Sequence, residues 1–113
     1  MQLLVAVINR EEQVEEVLSA FLELGITGAT VLDSQGMGRL LHAEVPIFAG
    51  LEAFAGTSRP RNLTILSVMD DRKVDRAIEA VEEICGVGRR GAGIVFTVPV
   101  GRVVGLAPEI GDE

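Results

Sequence analysis

The chain has 113 residues and a formal net charge of −7, which suits a single acidic domain and argues against nucleic acid as a partner. One cysteine, Cys85, excludes an intrachain disulfide, and one histidine, His42, with no Cys or His companion nearby, makes a metal site an unpromising reading. No apolar run approaches membrane-spanning length, and the opening "MQLLVAVINREE" has neither a basic flank nor a cleavage site, so a strand and a cytoplasmic location are expected.

"QLLVAVI" (Gln2–Ile8) is a short branched apolar run, the pattern of a strand buried on both faces. The next segment is helical. Asn9 and Glu12 have capping-box spacing, Val14, Val17, Leu18, Phe21 and Leu22 form one apolar face, and Gly25 is the stop. "TGATVLDS" (Thr27–Ser34) is a second strand, ended by "QGMG". "NLTILSVM" (Asn62–Met69) is a third. "DDRKVDRAIEAVEEICG" is a second helix, with Asp71 as cap, a face of Val74, Ile78, Val81 and Cys85, and Gly86 as stop. "GIVFTVPV" is a fourth strand, and "GRVVGL" has the pattern of a short fifth.

The order is two βαβ halves around a long connection. It corresponds to an α+β, ferredoxin-like βαββαβ fold with both helices on one face of an antiparallel sheet. The other face needs cover, and association of copies is the expected solution because strands one and three are apolar on both sides. Trimers or dimers of the CutA or ACT type use the same scaffold, so fold alone does not assign function.

Residues 39–61 are too many for a hairpin turn. The stretch is apolar, with Val45, Ile47, Phe48, Leu51 and Phe54. Exposure of such side chains costs ~25 cal/mol per Å² of apolar area. It has three outcomes: folding back on its own oligomer, docking on a partner protein, or forming a structural insert. His42 within it reads as an ordinary polar loop residue.

"GVGRRGAGIVFTVPV" (Gly86–Val100) sets two arginines among glycines just before a strand. Gly88, Gly91 and Gly93 permit close backbone approach, and consecutive amides in such turns form anion-binding nests. Arg89 and Arg90 add charge-assisted donors. The plain alternative is a flexible connection between helix and strand.

"ELGITGATVLDSQGMGR" (Glu23–Arg39) together with "GVGRRGAGIVFTVPVGRV" resembles the P-II nitrogen-regulatory signalling family, in register over nearly the whole chain. The resemblance implies a homotrimer with adenine-nucleotide clefts between neighbouring subunits. It also implies a long T-loop that reports the bound ligand to an enzyme, membrane transporter or transcription factor. The family is regulatory, so no catalytic residue and no metal are expected. By the resemblance, residues 1–106 are the P-II-like domain, 39–61 its T-loop and 107–113 a C-terminal tail. Gly36, Met37 and Gly38 would wall the adenine, Thr30 would contact the base, Arg39 would reach a phosphate, and Gly88, Arg89, Arg90, Gly91 and Gly93 would hold the anion.

The chain departs from the family pattern at several positions. Ile94 replaces a phosphate-binding lysine, and Gly105 and Ala107 stand where two clamping arginines would be, although Arg102 matches the preceding arginine. Each lost charge-assisted bond is worth roughly 1.5–3 kcal/mol. Leu40 replaces the glutamine that helps chelate Mg-ATP with 2-oxoglutarate. The chain has no tyrosine, which excludes uridylylation at Ala53, and Leu51 replaces the alternative phosphorylated serine. The expected ligand is ATP, ADP or AMP bound weakly, a cyclic dinucleotide, or a small anion such as bicarbonate or a carboxylate, and no resident cofactor is expected. The competing expectation is an interaction module of the same fold whose apolar loop docks constitutively, with no small-molecule input.

Overall fold

A computed structural model describes residues 1–37, 62–88 and 92–108. The chain runs β1 (Gln2–Ile8), α1 (Glu11–Glu23), β2 (Thr30–Ser34), β3 (Asn62–Met69), α2 (Val74–Cys85) and β4 (Ile94–Pro99). The strands form one four-stranded sheet in the order β2-β3-β1-β4, with every neighbouring pair antiparallel. This is the expected ferredoxin-like α+β fold.

One sheet face carries the core. Leu4, Ala6 and Ile8 of β1 and Ile65 and Met69 of β3 are fully or almost fully buried, against Val14, Val17 and Phe21 of α1 and Val74, Ala77, Val81 and Cys85 of α2. Leu18 and Ile78 pack at its margin. Burial, and then the charge of Glu16, pushes the Cys85 thiol up from its ordinary range, which suits a core side chain and not a nucleophile. Leu22 is the exception on the expected helix face. It is 58% exposed, because the contact surface is narrower than the apolar stripe of α1.

The helix ends differ from expectation at their starts. Arg10, not Asn9, is the N-cap of α1, and no side chain caps it, so Glu12 falls one place too early for a capping box. Before α2, Asp70 and not Asp71 accepts the backbone N–H of Arg72 at 2.8 Å, which nucleates a 3-10 turn over Asp71–Lys73. The Arg72 side chain also donates to Asp70 at 2.9 Å, and these bonds hold the carboxyl well below the usual carboxylate range.

Both stops are where glycine was expected. Gly25 takes φ 86° and Gly86 φ 67°. At the first, Gly25 N–H donates to Leu22 and Ile26 N–H to Phe21, both at 2.9 Å, a Schellman motif that tucks Ile26 into the core.

β2 starts three residues later than its apolar pattern suggests, because Thr27 and Gly28 are held by side-chain bonds and not by the ladder. The expected fifth strand does not form: Gly101–Pro108 is irregular, with Gly105 at φ 90°.

Candidate functional site

The topology brings one set of chain segments to one end of the sheet. β1 ends there at Ile8, β2 ends at Ser34, and β3 begins at Asn62, paired with Ser34. α2 also runs to that end, and β4 starts from it, with Ile94 paired to Val7. Gly36 and Met37 therefore leave the sheet at the same end as Gly88 and Gly93, the end from which the long connection departs.

The two glycine stretches leave from opposite edges. β2 and β4 are separated by β3 and β1. At ~4.8 Å per strand this is about 14 Å. The chain thus carries one glycine stretch at each corner of the rim.

Each stretch has a distinct reason for its glycines. Gly93 sits at φ 113°, and a Cβ there would collide with the carbonyl oxygen of Val7. Backbone approach to β1 and a left-handed conformation both demand glycine at the root of β4. Gly88 has φ 107° with open space where a Cβ would stand, so conformation alone selects it. Gly36 is different: its conformation is ordinary, but a Cβ would come within 3.2 Å of the Asn62 side-chain amide. The Asn62 side chain therefore crowds Gly36. Neither Asn62 nor the Val7 carbonyl was singled out from the sequence, since only strand register brings them to these glycines.

Met37 is 75% exposed at the rim. Thr30 is exposed at the opposite end of β2, paired with Leu66. At ~3.3 Å per residue it is about 13 Å back along the strand from Ser34. One chain therefore sets Gly36 and Met37 at one corner of the rim and Gly88 and Gly93 at the other, and does not bring Thr30 to either. Gly38, Arg39, Arg89, Arg90 and Gly91 lie outside the described residues, as do Val45, Ile47, Phe48, Leu51 and Phe54 of the long loop.

The positions that depart from the family pattern are visible. Ile94 is 53% exposed at the start of β4, so the second glycine stretch ends on an apolar side chain. Gly105 and Ala107 lie in the irregular C-terminal stretch and supply no charge. Among the described residues no group of three His, Cys, Asp or Glu side chains is placed to hold a metal ion, and no helix is long and apolar enough to cross a membrane.

The comparisons agree with this architecture. The family model for "Nitrogen regulatory protein P-II" matches residues 1–109. The nitrogen regulatory protein P-II of Azospirillum brasilense is 39% identical over 93 residues, which cover 81% of this chain and 80% of that protein. The P-II protein of Rhodospirillum rubrum is 34% identical over 89 residues, 78% of this chain and 76% of its own length. The nitrogen regulatory protein GlnK of Escherichia coli K12 is 31% identical over 111 residues, 97% of this chain and 96% of that one. With the two-helix, four-strand fold in place and a match over almost its entire length, the chain belongs to the nitrogen regulatory P-II family, a family of signalling regulators and not of enzymes.

Proposed function

We propose that this P-II protein is a homotrimer that takes a small anionic ligand in clefts between neighbouring subunits and passes its occupancy to a partner enzyme or membrane transporter through residues 39–61. Residues 1–106 carry the cleft, and 107–113 form the tail. One observation carries the reading: two glycine stretches lie on the same rim at opposite sheet edges, so that an edge-to-edge neighbour would complete each half-site with the other. The ligand is an adenine nucleotide or a small anion, with Arg39, Arg89 and Arg90 supplying charge. Ile94, Gly105 and Ala107 remove cations from the pattern, which favours ADP, AMP or a smaller anion over a tightly held triphosphate.

Thermal melting of the full chain with ATP, ADP, AMP, a cyclic dinucleotide and bicarbonate tests the reading. A ligand that binds only the folded protein adds about 2.7 kcal/mol at 100 times its Kd. At least one of the five should raise the melting temperature, and Arg89→Ala with Arg90→Ala should abolish the rise. A flat response to all five supports the constitutive interaction module instead. A full response in the double variant removes the second glycine stretch from the site.

A further inference from the structure

The sheet side away from the helices carries no charged residue among the described ones. Direct register puts Leu3, Val5, Leu66, Phe96 and Val98 there. The carboxylates lie on the other side of the molecule, where Glu11, Glu15, Glu16, Glu79, Glu82 and Glu83 are exposed on the helices. Depletion of charge is the mark of an interface core and not of a solvated surface. The helix side of another copy does not suit this face, because its carboxylates would lose water without a partner. The neutral surface that this chain offers in return is the same sheet side of a second copy.

That side turns polar at one corner. Ser34 at the end of β2 pairs with Asn62 at the start of β3, and Thr64 stands in register between Leu32 and Val7. Ser34 Oγ and Thr64 Oγ1 are 2.8 Å apart. Two hydroxyls joined by one bond share one hydrogen, so the accepting group keeps its own to donate. The Asn62 amide adds two donors and an acceptor beside Gly36. All three residues are half-buried in the single chain, where water meets this spare capacity. A covering copy removes that water, and a polar group then left unmatched costs its full desolvation.

We propose that Ser34, Asn62 and Thr64 form a polar lock in the seam between copies of this chain, hydrogen-bonding to the neighbouring subunit. The inference rests on the trimer reading and adds what sets the copies in place. Apolar contact is non-directional, whereas a buried polar group accepts only the arrangement that supplies its partner. The corner therefore fixes how one sheet lies against the next, and it selects a second copy of this chain over an apolar surface of similar shape.

Light scattering over a dilution series tests it, in the urea concentration that half-dissociates wild type. The variants are Thr64→Val, which keeps the shape without the hydroxyl, Thr64→Ser, which keeps the hydroxyl, and Asn62→Asp, which puts a charge in the same shape. Thr64→Val and Asn62→Asp should each raise the apparent dissociation constant roughly fivefold or more. Thr64→Ser should match wild type. Wild-type association in either Thr64→Val or Asn62→Asp overturns the proposal, because the corner then faces water. So does a loss in Thr64→Ser equal to that in Thr64→Val, which marks packing and not hydrogen bonding. Wild type at single-chain mass at every concentration, without urea, ends the trimer reading and the lock with it.

Discussion

Glycine occurs thirteen times in this chain, and its physical reason differs from one position to the next. Gly93 is held between a positive φ and the Val7 carbonyl, whereas Gly28 has no positive φ and open space around its missing Cβ. Strained backbone at a non-glycine residue costs on the order of 1–3 kcal/mol. Gly93→Ala should therefore lower the urea-unfolding free energy by about 2 kcal/mol or more, since the collision adds to the conformational strain. Gly28→Ala should fall within about 0.5 kcal/mol of wild type. Comparable losses at the two positions in denaturant titrations would show that the contact with β1 is not what selects Gly93. In the sequence the two glycines look alike. The difference comes from the β1–β4 register, which no local pattern encodes.

The elements were legible where periodicity and burial coincide. β1 and β3 match the expected bounds residue for residue, although only alternate residues, on the helix-facing side, are buried. The helix stops were legible for a local reason, because glycine at a left-handed position is a backbone requirement. The helix starts were not: Asn9 and Asp71 had suitable chemistry, but strand exit and the Asp70–Arg72 pair set where the first turn begins. The apolar stripe of α1 also overstates its contact surface. Phe21 is 1% exposed and Leu22 58%. Phe21→Ala should cost about 3–5 kcal/mol in chemical denaturation, the range for an emptied core aromatic. Leu22→Ala in the same assay should stay near 0.5 kcal/mol. Similar losses for both would mean that Leu22 is buried in the protein's assembled state.

At the scale of the whole molecule, the sheet has one finished face and one unfinished. Leu3, Val5, Val7, Leu66, Phe96 and Val98 share the face opposite the helices, by direct register pairing. Phe96 and Val98 are each 43% exposed there. An apolar surface of this kind marks an interaction site in a soluble protein. Under the trimer proposal, light scattering coupled to size exclusion should give three times the 12.0 kDa chain mass. Phe96→Lys should shift it toward the single-chain value, because an unpaired charge in an apolar interface costs several kcal/mol. A trimer mass that survives Phe96→Lys unchanged would show that the subunits meet elsewhere.

The sequence by itself determined the two helices, the four strands, their order, the signalling family and the loss of three cations from its pattern. Each of these is written in neighbouring residues: hydrophobic period, turn chemistry, or a motif read in register. Only the tertiary structure decided that the glycine stretches share a rim but not an edge, that Asn62 crowds Gly36 and the Val7 carbonyl crowds Gly93, and that Thr27 is tied to Pro108. Those contacts join residues far apart in the chain. They depend on strand order and register, which the whole sheet sets at once as it buries its core face against the helices.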